Sequence, residues 1–122
     1  MSTPSLLSMA KAVGYLGDIQ SAQRLLATLQ KTLSSDLPLI EGAIQVKNFE
    51  LLQTKWHQLK GFAPVFCADT LIEKIFETEN ACKKIESNEL QNLALSASAD
   101  LLTQLKMLQL EVTSQLTKTL QA

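Results

Sequence analysis

The sequence holds one histidine, and its closest neighbours are of types that can act with it. His57, Lys60 and Gly61 fall within about one helical turn, in the run His57-Gln58-Leu59-Lys60-Gly61. Imidazole serves as nucleophile and general base near neutral pH, because an ordinary histidine is largely unprotonated at pH 7. An ammonium three residues further on shares the helix face and can stabilise negative charge on whatever the ring attacks. Glycine inside a helix costs about 1 kcal/mol relative to alanine, so an outward glycine serves an approaching group and not the helix. These types together place a nucleophile, a cation and a clearance for a close approach within one turn.

Their placement follows from the helix that must carry them. With each residue set 100° from the last, Phe49, Leu52, Trp56, Leu59 and Ala63 cluster within about 80° and form the buried stripe. His57 lies roughly 120° and Gly61 roughly 160° from the centre of that stripe, which puts both toward solvent. Lys60 sits at the core-to-surface edge, where its stem follows apolar surface and its ammonium returns toward the histidine. Gln53 and Glu50, one and two turns before His57, and Gln58 beside it are candidate rim contacts. Lys83, on the adjacent helix, is a further candidate contact. No carboxylate stands at i±3 or i±4 to orient the ring, which weighs against an unrelated enzyme using His57 as general base.

Composition narrows the fold that supports this helix. Of 122 residues, 46% are apolar but only 5% aromatic, with four glycines and three prolines. A β-sandwich or barrel needs more turn formers and more β-branched and aromatic residues than this. Leucine alone fills nearly a fifth of the positions, which excludes collagen-like and disordered classes. A net charge of −1 lacks the basic excess of a general nucleic-acid binder. Cys67 and Cys82 form no CxxC, and no second histidine is present, so buried thiols in a reducing compartment are expected in place of a zinc site or redox pair. The start carries no basic leader region and no apolar run reaches the length of a membrane span, so a cytoplasmic protein is expected, with no membrane partner.

Helical periodicity runs through nearly the whole chain. A short apolar segment from Leu6 to Leu16 closes at Gly17, and Asp18 caps the next element. Ile19, Ala22, Leu25, Leu26, Leu29, Leu33, Leu37, Ile40 and Ile44 keep one stripe past Pro38, which predicts a kinked helix or two stacked ones. Asn48 caps a third element with Glu50 in its first turn, and Pro64 stops or bends it. Asp69 caps a fourth carrying Leu71, Ile72, Ile75 and Phe76, and Ser87 a fifth. The fifth carries Leu90, Ala94, Ala97, Leu101, Leu105, Leu108, Val112 and Leu116 to the C-terminus as one helix. The pattern predicts a single all-α domain over residues 1–122, an antiparallel up-down four-helix bundle with a short extra N-terminal helix. Val112, Leu116 and Leu120 are expected to pack on the extra helix or on a second molecule, and a monomer is expected.

The run His57 to Gly61, followed by Ala63, Ala68 and Leu71, resembles the signature of histidine-containing phosphotransfer (HPt) domains, H-x-L-K-G-x-A-x-x-[LIV]-G-A-x-x-L. The likeness extends over about residues 13–110, through Gly17-Asp18, Leu37-Pro38, Lys47-Asn48, Ile75, Glu79 and Lys83. Phe62 stands where the family usually has serine, Cys67 where it has glycine and Trp56 where it has alanine, while Pro64 adds a break; an exposed Phe62 beside Lys60 is expected. The resemblance implies a carrier that accepts a phosphoryl group on His57 from a receiver-domain aspartate of a response regulator and passes it to a second receiver. It implies that Lys60 stabilises the phosphoryl charge, and that Gly61, Gln53, Gln58, Glu50 and Lys83 meet the partner or its phosphate. It also implies a sensor or hybrid histidine kinase upstream, magnesium supplied by the receiver, and no cofactor or metal of the chain's own. No Gly-rich phosphate loop or Walker lysine is present, so a carrier and not a kinase is expected.

Two alternatives share the bundle: a degenerate form that binds a receiver or kinase without accepting phosphate, and the histidine bundle of a chemotaxis-type kinase. With Met at the start and no kinase domain following, a stand-alone carrier is the expectation. A phosphorylated receiver should label the chain with an acid-labile, base-stable phosphate, and His57→Gln should abolish the label. Retained labelling in that variant, followed by gel autoradiography, would rule out His57 as the acceptor.

Overall fold

Caps and joints divide the chain into five helices, seen in a computed structural model that describes the backbone of residues 5–121 and side chains to residue 118. They are α1 (Met9–Leu16), α2 (Ile19–Gln45), α3 (Phe49–Phe66), α4 (Asp69–Lys83) and α5 (Asn88–Gln121). No β-strand occurs among the described residues, where an isolated bridge pairs Leu7 with Cys67. Residues 1–4 and the side chain of Leu120, on which two expectations fell, lie outside the described part.

Four of the expected caps are present, one closing a helix and three opening one. Gly17 adopts φ 89°, in the left-handed region where a side chain is strained, and its N–H donates to Val13 C=O as α1 ends. Asp18 accepts from the Ser21 N–H at 2.7 Å and Asn48 from the Leu51 N–H at 3.1 Å. Ser87 likewise accepts from the Leu90 N–H at 3.1 Å. These contacts satisfy amides that the first helical turn leaves without partners.

The prolines act less sharply than expected. Pro38 does not divide α2, which runs unbroken for 27 residues. Pro38 and Ser34, whose carbonyl loses its donor, are both exposed, so water can take the freed bond while Leu33, Leu37 and Ile40 stay buried opposite. Pro64 does not stop α3, which continues to Phe66 and ends where Cys67 turns extended. Asp69 is not a cap. Ala68 takes that position without a side-chain bond, and Asp69 becomes the first helical residue, with its carboxylate on Lys11 of α1. Its charge still complements the helix N-terminus.

One core unites the helices. Leu26, Leu29, Leu33 and Ile40 of α2 meet Leu52, Trp56 and Phe66 of α3, Leu71 and Ile75 of α4, and Leu101, Leu105 and Leu108 of α5. Each such side chain contributes on the order of 1.5–3 kcal/mol by leaving water. α2 and α4 each pack against both α3 and α5, closing a ring, and α1 lies on α2 and α3. At the stripe edges Ile19 is half exposed and Ala43, not Ile44, is fully buried. Phe76 also falls outside the core, because the buried phase of α4 runs through Leu71, Ile75, Glu79 and Cys82.

The segment before α1 ties these parts together at one end. The Glu111 carboxylate of α5 accepts from Ser5 Oγ and from the Leu6 and Leu7 amides. Ser8 N–H donates to Phe66 C=O at 2.7 Å, and Ala68 N–H donates to Leu6 C=O at 2.9 Å, so the joint between α3 and α4 is held from behind. No helix among the described residues is long and apolar enough to cross a membrane. Asn48→Ala should lower stability by about 1 kcal/mol through loss of the α3 cap. Urea unfolding followed by circular dichroism measures this, and an unchanged midpoint would mean that the cap adds nothing in this fold.

Candidate functional site

The site forms where α3 lies beside α4. Glu79 stands one turn after Ile75 and two after Leu71, on the buried face of α4, and its side chain is only 2% exposed. A carboxylate removed from water in this way needs charged or N–H partners. Three are supplied. His57 Nδ1 lies 2.9 Å from Oε2, while Lys60 Nζ at 2.7 Å and Lys83 Nζ at 3.3 Å both donate to Oε1. Burial pushes the Glu79 carboxyl up, but the hydrogen bonds from Lys60, His57 and Lys83 outweigh it and hold the group below the usual carboxylate range.

An ionised carboxylate only accepts hydrogen bonds, so the hydrogen between Glu79 and His57 belongs to Nδ1. In the neutral ring, that hydrogen fixes the tautomer and places the lone pair on Nε2. The His57 side chain is 71% exposed, so a buried anion grips one edge of the ring while the rest faces solvent. Lys60 is 29% exposed, and its ammonium lies 5.5 Å from the ring centre of Phe76, which is itself 44% exposed. One carboxylate against two ammonium groups leaves the cluster with surplus positive charge. Beside it opens a hollow of about 400 Å³ lined by Gln53, Thr54, His57, Gln58, Glu79 and Lys83.

The structure sorts the residues singled out from the sequence. His57, Lys60 and Lys83 converge on one carboxylate, although the Lys60 ammonium bonds Glu79 where a reach toward the ring was expected. Gln58 is exposed on the wall of the hollow. Gln53 lines it too, but its amide donates to Cys82 C=O at 2.9 Å and so ties α3 to the end of α4. Glu50 is exposed in the first turn of α3 and does not line the hollow. Gly61 is exposed, and a Cβ built there would meet nothing within 4 Å, so packing does not demand glycine. Phe62 is half-buried against Phe66, with ring centres 5.5 Å apart, and the exposed aromatic beside Lys60 is Phe76 instead.

The pairing of Glu79 with His57 is not legible from spacing within α3, because the two residues stand on different helices. The available signal was an acid in phase with Leu71 and Ile75, a place where charge survives only with partners. Beneath the site, the buried Trp56 Nε1–H donates to Ser98 Oγ at 3.3 Å, and Cys82 Sγ lies 3.5 Å from the same oxygen. Both cysteines are free and buried. Burial pushes the Cys67 thiol up to about 12 and raises that of Cys82, which keeps them as thiols. No group of three or more His, Cys, Asp or Glu side chains able to hold a metal ion occurs among the described residues.

Comparisons with profiles of known protein families, with curated proteins and with solved structures find no match to this chain. The site therefore speaks through its own geometry: an exposed imidazole bound through Nδ1 to a buried carboxylate, with two ammonium groups on the other oxygen of that carboxylate.

Glu79→Gln should lower stability at pH 7 by about 1–3 kcal/mol, since hydrogen bonds to a charged group are lost and the amide cannot serve three donors. Because the folded carboxyl lies below its ordinary value of 4.5, its contribution is full above that value and is lost as pH falls through the lower folded value. The stability difference between wild type and Glu79→Gln should therefore shrink toward pH 3 in urea titrations. A difference that stays constant with pH would contradict an ionised Glu79.

Proposed function

We propose that the chain is a phosphorelay carrier of the HPt type, accepting a phosphoryl group on His57 from one receiver-domain aspartate and surrendering it to another. The observation that carries this reading is the His57–Glu79 pair, in which Nδ1 is hydrogen-bonded at 2.9 Å to a buried carboxylate while the ring stays open to solvent. In the transfer, the Nε2 lone pair forms a bond to phosphorus as the P–O bond of the aspartyl phosphate breaks, and the aspartate leaves with that electron pair. The Nδ1 hydrogen stays in place, so the ring becomes cationic and its new charge faces Glu79 across the bond already formed. Return transfer to a second aspartate reverses these changes. Lys60 adds positive charge beside the ring and keeps the carboxylate anchored.

Several features support the wider reading. Gln30 with Thr113, Ser34 with Gln109 and Glu41 with Lys106 pair rising positions in α2 with falling ones in α5. His57 with Glu79 and Gln53 with Cys82 do the same between α3 and α4. These pairings and the short joints favour an antiparallel up-down bundle of α2 to α5 with α1 as an extra helix. In this reading Gly61 and Gln58 meet the receiver, Glu50 stands at the rim, and Gln53 acts from beneath through the Cys82 carbonyl. The receiver brings the magnesium, a sensor or hybrid kinase begins the relay, and the chain works as a cytoplasmic monomer and carrier without an ATP site.

The test is a relay rebuilt from purified parts: one phosphorylated receiver, the chain, and a second receiver. Label should pass through His57 to the second receiver. Gly61→Gln should keep or raise the melting temperature, because glycine is the poorer helix former and the space is open. The same variant should slow transfer about tenfold or more by obstructing the close approach that charge stabilisation requires. Binding of a receiver without any label appearing on wild type would refute carrier function, and unchanged transfer in Gly61→Gln would refute a docking face at Gly61.

A further inference from the structure

We infer that Lys83, and not Lys60, is the cation that meets the transferred phosphoryl oxygens, and that the hollow beside His57 is their seat; this rests on the phosphotransfer reading above. Both lysines donate to the same Glu79 oxygen, but on unequal terms. Lys60 is held at 2.7 Å, is 29% exposed and lies against the Phe76 ring, and it does not line the hollow. Lys83 is held at 3.3 Å, is 51% exposed and lines the hollow together with His57.

An arriving phosphoryl group competes with Glu79 for an ammonium. The longer and more exposed bond yields first, because solvent already screens it and its loss leaves less behind. When Lys83 turns toward the hollow, the buried carboxylate keeps its two shorter contacts, to Lys60 and His57. Were Lys60 to leave instead, Glu79 would lose its shortest charged bond and the cation would have to abandon the Phe76 ring as well. Desolvated anions with too few partners are costly, so the cluster favours the first exchange. Lys60 offsets the Glu79 charge, which makes Lys83 the surplus cation. Gln58, exposed on the same wall, adds amide hydrogens of the kind phosphoryl oxygens accept. The departures divide the labour: Lys60 positions the carboxylate that orients His57, and Lys83 is the catalytic cation.

The hollow opens directly to solvent, so a small donor can probe it without a protein partner. With N-protonated phosphoramidate, the Nε2–P bond forms as the donor's P–N bond breaks, and neutral ammonia leaves with the electron pair. The experiment measures initial labelling rates of the full chain with phosphoramidate and with a phosphorylated receiver, by ³¹P NMR and intact mass. Wild type, Lys83→Gln, Lys83→Arg and Lys60→Gln are compared. His57 ring ¹⁵N signals and melting curves are recorded for each.

Lys83→Gln should slow labelling about tenfold or more with both donors, and Lys83→Arg should stay within about threefold of wild type. In Lys83→Gln the Nδ1–H signal should be unchanged and the melting temperature should fall less than in Lys60→Gln, which should alter both. If wild type is labelled on His57 and Lys83→Gln is labelled equally fast, the Lys83 assignment falls and the phosphotransfer reading stands. A rate loss in Lys83→Gln accompanied by a changed ring signal, or by a melting temperature lowered as far as in Lys60→Gln, would assign Lys83 a structural role and overturn the proposal. Wild type that neither donor labels would overturn both.

Discussion

A carboxylate placed where water cannot reach it constrains everything around it. Glu79 sits in the apolar phase of α4, and an uncompensated charge there would destabilise the fold by several kcal/mol. The ring of His57 and the two lysines supply the compensation, so three side chains from two helices are drawn to one point. In the proposed transfer, what stability requires is also what chemistry uses. The bond that satisfies Glu79 holds Nδ1–H in place and thereby leaves the opposite nitrogen available.

That bond holds its length only if α3 and α4 cannot slide past each other, and several independent contacts prevent this. Gln53 grips the Cys82 carbonyl one turn beyond Glu79, and Trp56 and Cys82 meet at the buried Ser98 of α5. At the far end, the residues before α1 bond both sides of the joint, and Glu111 secures them to α5. The side chains of the cluster thus project from helices whose relative position is set from both ends, the arrangement that the proposed transfer needs to hold a reacting atom within a fraction of an ångström. The outer side of the site is built differently. There the chain presents Gly61 with open space around it, a mostly exposed imidazole and the half-exposed Phe76, none of which the core needs in that form.

The prolines, which read as disruptive in isolation, are quiet in context, and the cysteines are the buried thiols expected from their spacing. Pro38 loses a bond on a wet face and α2 continues, because the apolar contacts opposite it outweigh one backbone hydrogen bond. Pro64 removes one backbone donor in the closing turn of α3, and the helix still continues to Phe66. Cys67 lies under the N-terminal segment, and burial suppresses its thiolate.

Sequence alone determined what depends on local physics. The five helices follow from the period of the leucine stripes, and Gly17, Asp18, Asn48 and Ser87 end or begin them through bonds reaching only a few residues. The outward placement of His57 and Gly61 was legible for the same reason, since a helix face needs only the 100° step. Phe76 falls outside the core because the buried phase of α4 runs through Glu79 and Cys82, and the Asp69 carboxylate meets Lys11 of another helix, a contact that no local spacing shows. The function of Glu79 was hidden likewise: 22 positions separate it from His57, and no spacing rule within one helix joins them. Only the packing of α4 on α3 made that acid an orienting group, tied Gln53 to a backbone carbonyl and set Lys60 and Lys83 in unequal competition for one oxygen. A helix can announce its own faces, but which face of a neighbour it meets is decided by the shared core.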